Sequence, residues 1–153
     1  MILPVRICGD PILSKRSRKI SKIDNRIREL ASDMIETMAR FEGIGLAANQ
    51  VGVDLRIISV DPKPAGFDTE PFVIINPEIV KSEGEQEEEE GCLSIPGYVF
   101  RVSRPMKIKV KGIDIEGSEF VIQGEGLLTR VLMHEIDHIN GILIKDHANS
   151  KEI

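Results

Sequence analysis

Residues 127–141 read Leu-Leu-Thr-Arg-Val-Leu-Met-His-Glu-Ile-Asp-His-Ile-Asn-Gly, a run in which apolar residues at helical spacing lead straight into two histidines four apart. Gly124 and Gly126 precede it and Gly141 closes it, so the pattern predicts a helix over about 126–140. On such a helix His134 and His138 share one face, while Glu135 projects about 100° round the cylinder. Two neutral imidazole nitrogens can hold a divalent cation that acidifies water, and a neighbouring carboxylate that does not ligate can carry protons. The combination points to hydrolysis.

A third ligand is needed. The metzincin pattern asks for a His six residues after the second, but position 144 is Ile. A thermolysin-like Glu would sit on a later helix, yet only fifteen residues follow His138, and Glu152 lies near their end. Cys8, Cys92 and His147 remain. Cys92 stands between Gly91 and Gly97 in a segment free to take an unusual backbone path. Cys8 follows Val5 and Ile7 and reads as a small buried hydrophobe, and His147 beside Lys145 and Asp146 reads as solvated surface. Cys92, His134 and His138 leave one coordination position open, as in catalytic rather than structural sites.

Three blocks stand in order along the chain: Gly43-Ile44-Gly45-Leu46-Ala47-Ala48-Asn49-Gln50, Glu90-Gly91-Cys92-Leu93-Ser94, and His134-Glu135-Ile136-Asp137-His138-Ile139-Asn140-Gly141. Together they resemble the signature of the peptide deformylase family, and the resemblance spans essentially the whole chain. It implies removal of the N-terminal formyl group from N-formylmethionyl nascent polypeptides, with release of formate. By this similarity Cys92, His134 and His138 bind one divalent metal ion, Fe²⁺ in the cell, with Zn²⁺, Ni²⁺ or Co²⁺ able to take the same site in a purified protein. Glu135 is the general base and then the general acid. The Gln50 side-chain amide and the Leu93 backbone N–H stabilise the oxyanion, and Ile44, Gly45 and Gly91 offer backbone hydrogen bonds to an extended substrate.

The chemistry agrees with these roles. Attack on a formyl carbon makes a tetrahedral intermediate whose oxygen carries nearly a full charge, so hydrogen-bond donors must face it. Gln50 is uncharged and does not compete with Glu135 for the proton. A methionine side chain needs an apolar slot, and Leu127 and Val131 precede the histidines on the same helical face. Leu128, Leu132 and Ile139 form a neighbouring stripe expected in the core. Other features depart from the family pattern. An Arg that often follows the second block is displaced here to Arg101, and Arg130 and Glu88 stand where relatives place apolar pocket residues. The chain also ends at Ile153 without the extra helix of many relatives, so ribosome contact through such a helix is not expected, and any association is transient.

At 153 residues the chain is expected to form one catalytic domain, 1–153, with a sizeable core. No apolar run is long enough to span a membrane, and the first residues lack a signal-peptide build. Two separated cysteines suit a reducing compartment, so a cytoplasmic location is expected. A net charge of −5 argues against specific nucleic-acid binding, although the first thirty residues carry eight bases and three acids. That cluster reads as solvated surface in preference to an RNA-attracting patch, since it lacks interleaved aromatics. Most of the block from Glu83 to Glu90, with its six glutamates, reads as an exposed turn or edge strand.

Apolar spacing after Asp24 predicts a helix near 25–41 stopped at Gly43, followed by the first block as a loop. Extended segments are expected near 55–61, 71–80, 98–103, 106–115 and 118–123. Helices and strands come in separate runs, so the fold class is α+β, with mostly antiparallel sheets packed around a central metal-binding helix that carries the HExxH motif. A metallopeptidase with a cysteine ligand is the competing activity. A structural metal site closed by a fourth ligand is the third reading.

Overall fold

The structure is a computed structural model that describes residues 1–147; Glu152, set aside above as a ligand, lies outside them. Its architecture is α+β with antiparallel sheets. Helix α1 spans Asn25–Arg40, strands β1 to β7 span Gly45–Ala47, Ile57–Val60, Phe72–Glu83, Gln86–Cys92, Ile95–Arg104, Lys107–Ile113 and Glu119–Glu125, and helices α2 and α3 span Leu127–Ile139 and Ile144–His147. Five strands form one sheet in the order β1-β2-β3-β6-β7, and β4 and β5 form a separate hairpin.

Period-two alternation explains why the larger sheet is covered on both faces. Leu46, Ile57, Val73 and Ile75 pack with Ile27, Ala31, Met34 and Met38 of α1. Their strand neighbours Ala47, Ile58 and Ile74 point the other way and pack with Leu128, Val131, Leu132, Ile136 and Ile139 of α2. A helix of thirteen residues is marginal by itself in water. Burial is what holds α2, since each fully buried Leu or Ile contributes about 1.5–3 kcal/mol. A third cluster under the β4–β5 hairpin joins Leu13, Ile95, Phe100, Val102, Leu143 and Ile144, with Cys8 and Cys92 partly buried beside it.

Both long helices end in the same hydrogen-bond pattern. In α2, Gly141 takes a positive φ of 79°, its N–H donates to His138 O, and Ile142 N–H donates to Asp137 O, which is the Schellman closure expected there. In α1 the left-handed residue is Glu42, at φ 55°, with Glu42 N–H donating to Ala39 O and Gly43 N–H to Met38 O. The stop therefore falls one residue before the expected Gly43. Asp24 caps the start of α1 by accepting from Ile27 N–H at 3.1 Å.

The first block is not all loop. Gly45–Ala47 is strand β1, paired antiparallel with Val60–Ile58, and Ala48–Val51 then forms a 3-10 turn. Most of the acidic run is exposed, as expected. Glu87, Glu88 and Glu89 are exposed on β4, but Glu90 at its end is only 9% exposed.

Candidate active site

Helix α2 and the end of β4 bring three ligand atoms together. Cys92 Sγ lies 3.2 Å from His138 Nε2, His138 Nε2 lies 3.2 Å from His134 Nε2, and all three atoms are within 4.8 Å of one another. Two nitrogens each about 2.0–2.1 Å from a tetrahedral cation stand about 3.3 Å apart, so the imidazole pair fits a shared ion. Both histidines are largely buried and Cys92 is half-buried. Cys8 and His147 do not join the group: Cys8 sits beside the hairpin cluster, and His147 Nε2 lies 2.7 Å from Asp137 Oδ2. His147 is exposed, as expected, and that contact places it at the site's margin. Among the described residues the cluster has three protein ligands, which leaves a tetrahedral ion one further position.

The His134 imidazole is aimed by a partner that periodicity did not reveal. Glu90 Oε1 lies 3.0 Å from His134 Nδ1, so the ring donates there and turns the Nε2 lone pair to the site. Arg104, with a side chain only 1% exposed, donates to both Glu90 oxygens at 2.9 and 3.1 Å and to Asp137 Oδ2 at 2.6 Å. Burial alone would raise the Glu90 carboxyl, but hydrogen bonds from His134 and Arg104 outweigh it and hold the pKa down to about 2. Burial lowers His134, yet the Glu135 charge and hydrogen bonds with Cys92 and Glu90 push it up to about 10. Surroundings that favour a proton on that ring favour a cation on it for the same reason. Burial, then the nearby His134, drives His138 well below the ordinary imidazole value. Its Nε2 stays a ligand lone pair. Asn49 Nδ2 donates to His138 O and ties the 3-10 turn to α2.

Glu135 is 5% exposed, and its Oε1 is buried with no hydrogen-bond partner among the described residues. Burial pushes its pKa up to about 7, against the pull of His134. A carboxyl poised near neutrality can both accept and return a proton. The carboxyl lies against β1: a Cβ on Gly45 would come within 2.6 Å of Glu135 Oε2. Gly45 is therefore glycine for a packing reason that the sequence alone did not disclose.

Gln50 is 2% exposed. Its Oε1 accepts from Ala47 N–H at 2.9 Å, which directs Nε2 toward Cys92 Sγ, 3.6 Å away, and Ser94 Oγ, 3.2 Å away. Leu93 and Ser94 form the two-residue turn between Cys92 and Ile95. A cavity of about 520 Å³ opens over the cluster. Gln50, Cys92, Leu93, His134 and Glu135 line it, as do Ile44, Gly45, Gly91, Leu127 and Val131. All the residues singled out for substrate contact are thus brought to one cavity. Arg130 also lines it, whereas Glu88 does not, and Arg101 pairs with Glu87 on the exposed side of the hairpin. Leu128, Leu132 and Ile139 are core, as expected.

The chain can be compared with known proteins on this footing. A sequence model of the family described as polypeptide deformylase matches residues 2–153. A peptide deformylase of Dictyoglomus thermophilum is 48% identical over 97% of this chain and 94% of its own length. The crystal structure of a peptide deformylase from Legionella pneumophila superposes with a TM-score of 0.93 at 43% identity, covering 99% of this chain and 89% of that one. A peptide deformylase from Synechococcus elongatus, solved in complex with actinonin, gives a TM-score of 0.92 at 37% identity, over 97% of this chain and 82% of that one. With a match that runs from end to end, this chain belongs to the polypeptide deformylase family.

Proposed function

We propose that the chain, acting as one catalytic domain over 1–153, removes the formyl group from N-formylmethionyl nascent polypeptides and releases formate. The observation that carries this is the convergence of Cys92, His134 and His138 beside the buried Glu135 in one open cavity. A divalent cation held by those three residues, Fe²⁺ in the cell and Zn²⁺, Ni²⁺ or Co²⁺ in other preparations, supplies Lewis acidity and lowers the pKa of water. In this reading α2 is the central HExxH helix, because it carries two ligands and the proton carrier on adjoining faces.

Glu135 takes the proton of the attacking water and delivers it to the departing amine, which would otherwise leave as a poor anionic group. Gln50 Nε2 and the Leu93 backbone N–H donate to the oxygen that gains charge as the carbonyl carbon becomes tetrahedral. Gln50 is ready for this because Ala47 N–H already fixes its carbonyl end. Leu127 and Val131 form one wall of the methionine slot. Among the described residues strand β1 pairs only with β2 and strand β4 only with β5, so each has an open edge there. An extended peptide can lie between them, bonded to the backbone at Ile44, Gly45 and Gly91. Nascent formylated chains arise in the cytoplasm, and a transient visit to the ribosome suffices to meet them. Among the described residues no helix is long and apolar enough to cross a membrane.

The test is formate release from a formyl-Met peptide by anaerobically purified, Fe²⁺-loaded protein, run beside Glu135→Gln. Formate without internal peptide cleavage is expected from the parent, and turnover should collapse in the variant. Full turnover in Glu135→Gln would remove the carboxylate from the proton path, and internal cleavage would favour a metallopeptidase instead.

A further inference from the structure

A second cavity, of about 480 Å³, opens beside the C-terminal end of α2 against β3 and β6, and it shares no lining residue with the first. Its charge is lopsided: Arg16, Lys19, Arg56 and Lys111 line it against Glu78 and Glu119. Arg56 is only 5% exposed. Its Nη1 donates to Ile139 O at 2.9 Å and its Nη2 to Asn140 Oδ1 at 2.8 Å, while Arg16 Nη1 reaches the same Oδ1 at 3.2 Å. Two guanidinium groups therefore share one neutral amide oxygen. Among the described residues no carboxylate forms an ion pair with any of the four bases, whereas Lys15 and Arg18 close by both pair with Asp54 at 3.1 Å.

Capping explains part of this arrangement. The carbonyl ends of α2 attract a cation, so Arg56 alone would be accounted for as a helix cap. Capping does not explain a second guanidinium on the same oxygen, or two ammonium groups lining the same hollow. Burial, and then the Arg16 charge, hold the Arg56 pKa below the ordinary guanidinium value; Glu78, opposite Lys111 in the sheet, and Glu119 line the hollow, yet among the described residues neither forms an ion pair with Arg56 or Arg16, so an anion placed against the two guanidinium groups is favoured. Guanidinium forks match the oxygens of a tetrahedral phosphate group, and lysines add charge without demanding a fixed geometry.

We infer that the hollow bounded by Arg16, Lys19, Arg56 and Lys111 is a binding site for a phosphate group. The phosphate is either a free anion or monoester, or one unit of an RNA backbone. Inorganic phosphate is titrated into the full, Zn²⁺-loaded chain at low salt, with binding followed by calorimetry and by the NMR shifts of the Asn140 side-chain amide and Gly112 N–H. Saturable binding with shifts at those groups is expected. Arg16→Gln and Lys111→Gln, both at exposed positions, should each weaken it about tenfold, the loss that goes with one charge-assisted hydrogen bond. Lys81→Gln removes the same charge from outside the cavity and should change nothing. A short single-stranded RNA separates the sources: RNA displaced by phosphate and weakened by the same two variants assigns the site to a nucleic-acid backbone, and phosphate binding without RNA binding assigns it to the free anion. The inference is overturned if phosphate does not saturate, if shifts appear only around His134, or if Lys81→Gln weakens binding as much as Arg16→Gln.

Discussion

Glu90 ends an acidic run that is mostly exposed, yet it is buried and connects the His134 imidazole to Arg104. A carboxylate that orients a ligating histidine typically sets metal affinity within 10–100-fold, so Glu90→Gln should weaken Zn²⁺ binding by about that factor in a chelator competition. Unchanged affinity would mean that Glu90 serves the fold alone. The same residue predicts an acid limb. Its folded pKa of about 2 lies below the ordinary 4.5, so its stabilisation is complete above about pH 4.5 and is lost as pH falls through 2. Glu90→Gln should flatten that part of a stability–pH curve. Gln50 lines the cavity beside Cys92. Losing one oxyanion donor costs about a hundred- to a thousandfold in turnover, so Gln50→Ala should show that loss in kcat and still fold, at a lower unfolding temperature because the buried Ala47 N–H loses its acceptor. A variant with normal kcat would assign the amide to holding β1 and the Ser94 turn.

At the scale of elements, β1 is where sheet, helix and chemistry meet. Its three residues present Leu46 to α1 and Ala47 to α2, and Gly45 leaves room for the Glu135 carboxyl. In Gly45→Ala the new methyl must displace Glu135 or the strand, because their separation would be 2.6 Å. Overpacking of this kind costs about 1–3 kcal/mol. The expected result is a lower unfolding temperature together with a fall in kcat that exceeds any rise in KM. Normal kinetics in that variant would show that the carboxyl has freedom to move aside. Helix α2 is governed by packing in the same way: its apolar stripe lies on the sheet, which leaves His134 and Glu135 facing the cavity beside β1 and the hairpin turn.

On the scale of the whole molecule, two helices cover the two faces of one sheet, and the ligand cluster lies where α2 meets the β4–β5 hairpin. The apolar clusters that hold α1 and α2 to the sheet include none of Cys92, His134 and His138, so chelation should abolish formate release while far-ultraviolet circular dichroism is retained and unfolding stays cooperative at a lower temperature. Loss of cooperative unfolding on chelation would make the cation a structural element. Helix α1, helix α2 and its Gly141 stop, and the His134–Glu135–His138 constellation were legible in the sequence, because period 3.6 and helix-end signals act between residues a few positions apart. Cys92 was legible by elimination and by its flanking glycines. The antiparallel α+β class followed from the order of apolar runs. By contrast, the strand character of Gly45–Ala47, the contact of Gly45 with Glu135, the left-handed Glu42, the chain of hydrogen bonds from His134 through Glu90 and Arg104 to Asp137, and the pairing of Arg16 with Arg56 on Asn140 came only from the tertiary structure. Nearly all of these depend on residues far apart in the chain, which leave no periodic trace for a sequence pattern to carry.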